Sequence, residues 1–141
     1  MRRALAISIL LAGAACGRDA SGEARMFLDR LERLDLDDPA EERRRLVDNL
    51  ASMPLLDPEV SEARDVCVDA HRSILEAEER QANAARLLGR YDADEVPSAG
   101  DRARIQRDID GADAALERSR RLFERCHRQS RELDMRYRRR R

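Results

Sequence analysis

Val60-Ser61-Glu62-Ala63-Arg64-Asp65-Val66-Cys67-Val68-Asp69-Ala70-His71-Arg72-Ser73-Ile74 and Ser119-Arg120-Arg121-Leu122-Phe123-Glu124-Arg125-Cys126-His127-Arg128-Gln129-Ser130-Arg131-Glu132-Leu133 are the stretches that decide how this chain folds. In the first, Val60, Ala63, Cys67, Ala70 and Ile74 recur at steps of three and four residues. In the second, Ser119, Phe123, Cys126, Ser130 and Leu133 do the same. That spacing lays each set along one stripe of an α-helix. Ala77, Gln81, Ala84 and Leu88 continue the first stripe, and Ile105, Ile109, Ala112 and Leu116 precede the second. Folding the chain back between them pairs Val60 with Leu133, Ala63 with Ser130, Cys67 with Cys126, Ala70 with Phe123 and Ile74 with Ser119. The same register pairs Ala77 with Leu116, Gln81 with Ala112, Ala84 with Ile109 and Leu88 with Ile105. In every pair the two residue numbers add to 193, so one antiparallel register accounts for all nine layers. Small residues recur opposite or beside large ones, as the facing positions of two close helices require.

The boundaries agree with this hairpin. Asp57-Pro58 is a cap followed by proline at the first helical position, and the helix it opens runs to roughly Gly89. Tyr91 to Pro97 reads as a loop, and Ser98 with Asp101 opens a second long helix that ends near Tyr137. Upstream, Ser21 to Asp35 reads as a short helix with Ala24, Phe27, Leu31 and Leu34 on one stripe. Asp38-Pro39-Ala40-Glu41 repeats the start signal, with Asp38 as cap, Pro39 inside the first turn and Glu41 closing a capping box. This helix runs to about Met53, burying Leu46, Leu50 and Met53, and Pro54 stops it. No segment alternates as a strand would. The expected fold is all-α, a four-helix arrangement of one long antiparallel hairpin with two short N-terminal helices packed on it.

Cys67 and Cys126 face each other in this register, at a separation that a close, Ala- and Ser-rich helix pair can bring within disulfide range. In an oxidising compartment the bond persists. The loop it closes corresponds to roughly 4 kcal/mol in the chain-entropy model. A second reading uses the same sulfurs: His71 lies one turn after Cys67 and His127 follows Cys126, so Cys67, His71, Cys126 and His127 form a possible tetrahedral zinc set. The two histidines are staggered by about five residues, near 7.5 Å along the axis, and oxidation removes the thiols. A structural disulfide with histidines beside it is therefore the preferred reading. No catalytic residues and no enzymatic activity are expected, because no nucleophile has a base and an orienting partner in view.

The chain opens with Arg2-Arg3, the apolar run Ala4 to Ala12, and Gly13-Ala14-Ala15-Cys16. This is the order of an export signal, and its apolar run is shorter than the roughly 20 residues that span a bilayer. The small residues ending at Cys16 resemble the lipobox of bacterial lipoproteins, with Gly13 where that family most often has leucine. The resemblance implies a covalent lipid on Cys16 and membrane anchoring through it. Gly17, where aspartate would signal retention in the inner membrane, implies the periplasmic face of the outer membrane. Ala12-Gly13-Ala14 also fits ordinary cleavage, which leaves a soluble periplasmic or secreted protein. The whole chain is similar to small helical envelope lipoproteins of Gram-negative bacteria. The expected organisation is a signal peptide (1–15), a lipidated N-terminus and tether (16–22), one helical domain (23–137) and a basic tail (138–141).

Composition narrows the function classes. Without Arg2 and Arg3 the chain has 26 basic and 29 acidic residues, a formal charge near −3, which argues against a nucleic-acid partner. Aromatic residues are 3% of the chain with no Trp, too few for a base- or sugar-stacking platform. Asp92-Ala93-Asp94-Glu95 sits at the hairpin tip, but Pro97 and Ala103 occupy the positions where a calcium loop needs glycine and glutamate. Arg138, Arg139, Arg140 and Arg141 form a basic run at the opposite end, suited to an anionic surface. Its Tyr-Arg ending resembles the small peptidoglycan-linked lipoproteins, whose attachment uses a C-terminal lysine that this chain lacks. These features suggest an electrically polar rod. The expectation is a non-enzymatic envelope protein that needs no cofactor and offers a helical surface to a protein or a cell-wall polymer. A periplasmic metal binder or sensor is the alternative.

Overall fold

A computed structural model describes residues 19–92 and 94–138. Four α-helices follow in order: α1 (Ala20–Leu31), α2 (Ala40–Ala51), α3 (Pro58–Leu88) and α4 (Ala99–Arg138). No strand occurs among the described residues. Asp57 caps α3 by accepting hydrogen bonds from the backbone N–H groups of Glu59 and Val60, both at 3.0 Å, and Pro58 occupies the first helical position. Ser98 caps α4 through its hydroxyl, which accepts from the Asp101 N–H at 3.1 Å. The start of α2 differs from the expected capping box. Pro39 itself is the N-cap, no side chain caps the helix, and the Asp38 carbonyl instead accepts from Arg43 Nε at 2.8 Å. Arg43 is the donor there, so this contact serves the Asp38 carbonyl and does not cap the first N–H groups of α2.

α3 and α4 form the antiparallel hairpin, and α1 and α2 pack on its base. α2 runs antiparallel to α3: Arg64 reaches the Met53 carbonyl at 2.7 Å, Arg72 pairs with Asp48 at 3.2 Å, and Arg43 pairs with Glu78 further along. α1 packs mainly on α4 and α3 and touches α2 least. Phe27 and Ala24 of α1, Val47 and Leu50 of α2, and Val60, Cys67, Cys126 and Leu133 of the hairpin share the main core. α2 buries Arg43, Val47 and Leu50, while Leu46, expected on its core stripe, is only half-buried. The stripe is rotated because α2 must face both α3 and α1.

The hairpin seam is built on sevens. Ala63, Ala70, Ala77 and Ala84 of α3 are all buried, and so are Ile105, Ala112, Ser119, Cys126 and Leu133 of α4. A small residue once per heptad lets the helix axes come close. The other heptad seat departs from expectation toward the tip. Leu88 is 48% exposed and Ile109 41% exposed, and Gln81 is exposed as well. Leu87 packs with Ala84 and Ile105 in their place, and Ala115 with Ala77 and Ala112. α1 and α2 supply no cover at this end, so each helix there keeps one narrow buried seam.

The alanine seam carries a direct test. Ala77→Leu inserts a branched side chain between α3 and α4 and is expected to lower stability by about 1–3 kcal/mol, read as a drop in the urea midpoint. The same change at exposed Ala82 should leave the midpoint within about 0.5 kcal/mol.

Candidate functional site

The expected cysteine layer exists. Cys67 and Cys126 are joined by a disulfide with their Cα atoms 4.9 Å apart, inside the range that such a bond requires. Both residues are buried. The Ser130 hydroxyl lies 3.8 Å from Cys67 Sγ, and since the bonded sulfur carries no proton the hydroxyl is the donor.

His71, Phe123 and His127 stack beside this bond. His71 meets Phe123 edge-on at a centroid distance of 4.9 Å, and Phe123 lies over His127 at 5.9 Å with the rings 28° apart. The phenyl ring therefore stands between the two imidazoles. The four residues considered as a zinc set are brought together, but the sulfurs are bonded to each other and the imidazoles address an aromatic ring. Among the described residues no group of three or more His, Cys, Asp and Glu side chains is arranged to hold a metal ion.

The electrostatics of His71 follow from its surroundings. It is only 6% exposed, and burial lowers its pKa from 6.5 to about 4, with the positive charges of Arg43 and His127 acting in the same direction. Arg43 is itself buried at the α2–α3 junction, held by Glu78 and the Asp38 carbonyl. Next along α3, the buried Ser73 hydroxyl donates to the Asp69 carbonyl at 2.8 Å and accepts from Arg118 Nε at 3.1 Å, while Arg118 pairs with Glu76.

Two buried charged residues escaped the sequence reading. Glu23 of α1 is 1% exposed, and its Oε2 accepts from the backbone N–H groups of Leu56 and Asp57, both at 2.9 Å. It stands four residues before Phe27 on the core-facing side, the signal that was available for it. Arg43 likewise precedes Val47 by four and Leu50 by seven. Cys16 and the residues of the export signal lie outside the described residues. So do Arg139, Arg140 and Arg141, whereas Arg138 is the last residue of α4. The tip is not simply acidic: Arg86, Arg90, Arg104 and Arg107 line a groove just behind the loop that carries Asp92, Asp94 and Glu95. No helix among the described residues is long and apolar enough to cross a membrane.

No protein-family model, curated protein or solved structure matches this chain.

The lowered pKa of His71 gives a pH dependence with a definite sign. Between about pH 4 and 6.5 the unfolded chain binds a proton that the folded chain refuses, so stability rises with pH across that window. The contribution is complete above about pH 6.5 and is lost as the pH falls toward 4, on the order of 2–3 kcal/mol. Urea midpoints at pH 7 and 4.5 should fall more for the native chain than for His71→Gln; equal falls would remove His71 as the cause. Reduction of the disulfide is expected to cost about 4 kcal/mol, measured as the stability difference from a Cys67→Ala/Cys126→Ala double variant.

Proposed function

We propose that this chain is an exported envelope protein without catalytic activity, anchored by lipid on Cys16, whose stapled hairpin presents a helical surface to an envelope partner. The single observation that carries the reading is the buried Cys67–Cys126 disulfide, set beside a third cysteine that ends an export-signal pattern. A cystine in a domain this small suits an oxidising compartment. With two cysteines bonded to each other, Cys16 is left for lipid attachment.

The geometry suits such an anchor. α1 begins at Ala20, only four residues after Cys16, and Glu23 fastens that end of α1 to the start of α3. α4 finishes at the same end of the molecule, its Arg136 paired with Glu59 of the first turn of α3. The base thus carries both the start of α1 and the C-terminal end of α4, and each basic residue near an anionic surface contributes about 1 kcal/mol. The 31 residues of α3 then carry the tip about 46 Å away from the membrane. Gly17 after the cysteine favours the periplasmic face of the outer membrane.

Cell fractionation of Cys16→Ala tests the anchor. The variant should leave the membrane fraction for the soluble periplasm, and a variant that stays membrane-bound would exclude lipid on Cys16 as its attachment. Intact-mass analysis of the unreduced protein tests the compartment: two mass units below the dithiol form and no free thiol are expected, whereas two free thiols in protein taken from its native site would exclude an oxidising location.

A further inference from the structure

Toward the tip of the hairpin, α3 and α4 enclose a groove of about 370 Å³. Its floor includes Leu87, which is buried, and Asn83. Four arginines line it: Arg86 from α3, Arg90 from the turn that follows α3, and Arg104 and Arg107 from α4. In the hairpin register Arg86 stands across from Arg107, while Arg90 follows in the turn beyond α3 and Arg104 lies about one turn before Arg107 on α4. The groove is thus flanked by one arginine pair in register and by two further arginines nearer the tip.

Among the described residues Arg102, Arg125, Arg128 and Arg131 of α4 make no ion pair, while other arginines of these two helices find carboxylates. Arg80 and Arg118 share Glu76, Arg121 pairs with Glu117 at 2.9 Å, and Arg136 pairs with Glu59. None of the four groove arginines makes an ion pair among the described residues. Arg86 donates instead to the Asn83 side chain. Asp108 is the one carboxylate in the lining, which leaves four positive charges against one negative, a net of +3. Asp101 feels Arg104 and Arg90 from outside the groove, but its carboxylate is engaged first by the Tyr91 hydroxyl. Four like charges lining one groove favour an anion between them.

We propose that this groove binds phosphate groups two at a time, as a diphosphate or as two neighbouring phosphates of one molecule. Guanidinium groups recognise phosphate oxygens in a bidentate fork. Two phosphate monoesters bring about −3 to −4, which matches the lining charge, whereas a single carboxylate would leave most of it unbalanced. The chemistry is shared by a soluble phosphorylated compound and by a lipid or glycolipid headgroup. The proposal deepens the reading of a presented helical surface by naming its ligand chemistry. It rests on the hairpin alone, so the Cys16→Ala result does not bear on it.

Calorimetric titration of the purified full chain with inorganic pyrophosphate is the test. Saturable binding is expected, weakened at least tenfold by Arg86→Gln/Arg107→Gln and by Arg90→Gln/Arg104→Gln. Arg139→Gln/Arg140→Gln changes the net charge equally and should alter the affinity by less than twofold. No saturable binding, or equal weakening by the groove and tail variants, overturns the proposal. A second arm separates the two sources: co-sedimentation with phosphatidylcholine vesicles is compared with and without cardiolipin. Cardiolipin-dependent binding lost in the groove variants assigns a headgroup, while pyrophosphate binding without that dependence assigns a soluble ligand. The groove arginines are exposed, and two independent double variants guard against one that fails to fold.

Discussion

Everything in this molecule depends on how closely α3 and α4 approach each other. Cα atoms only 4.9 Å apart at Cys67 and Cys126 require that neither helix place a bulky side chain beside that layer on the axis-facing seat. The alanines at 63, 70, 77 and 84 meet that requirement along the whole of α3, and Ala112, Ser119 and Cys126 meet it on α4. The disulfide and the alanine seam therefore share one cause. Small side chains bury little apolar area each, and a hairpin of alanines gains correspondingly little from the hydrophobic effect. A covalent link that restricts the unfolded chain compensates where side-chain volume cannot.

The base is fastened by different means. There the short helices add Phe27, Leu28, Val47 and Leu50 to the core, and buried charged groups fix the positions of those helices. Glu23 ties α1 to the backbone that enters α3, and Arg43 ties the start of α2 to Glu78 and to its own preceding loop. Each of these contacts is specific in direction, unlike apolar contact, and each would leave buried polar groups unsatisfied if its helix slid by one residue. His71 lies within reach of the Arg43 charge, which is one reason that its imidazole stays neutral. The ordering of α2 and the protonation of His71 are thereby linked.

Much of this was legible in the sequence, and the boundary between what was and was not is physical. The helix termini at Asp57-Pro58, Gly89 and Ser98 were readable because local backbone chemistry sets them. The register was readable because the two cysteines and the heptad alanines leave one antiparallel alignment. Leu87 and Leu88 were not separable: both are leucine, and the choice between them depends on what covers each side of the seam. The start of α2 misled for a related reason, since Asp38 offers its carbonyl to the buried Arg43 and no side chain caps the helix. Leu46 gave way to Arg43 and Val47 because apolar character alone does not say which face two neighbouring helices will share. The facing of Arg86 and Arg107 was implicit in the register but carried no apolar signal, and the acidic loop nearby drew the charge reading the other way.

That charge reading changes the physical picture of the rod. An acidic tip opposite a basic tail would orient the molecule as a dipole against a single anionic surface. With Arg86, Arg90, Arg104 and Arg107 gathered on the flank of the tip, the two ends are alike in kind, and the acidic residues Asp92, Asp94 and Glu95 are confined to the turn between the helices. A turn of that sign repels anions approaching along the axis and leaves the lateral groove as the electrostatically open side. Stiffness then matters as much as charge. The cystine and the alanine seam hold α3 and α4 at a fixed separation, so the backbones that carry Arg86, Arg104 and Arg107 keep their distance. For an anion of the proposed kind, carriers already held in place would lower the ordering cost of binding, which a pair of separately mobile helices would have to meet in full.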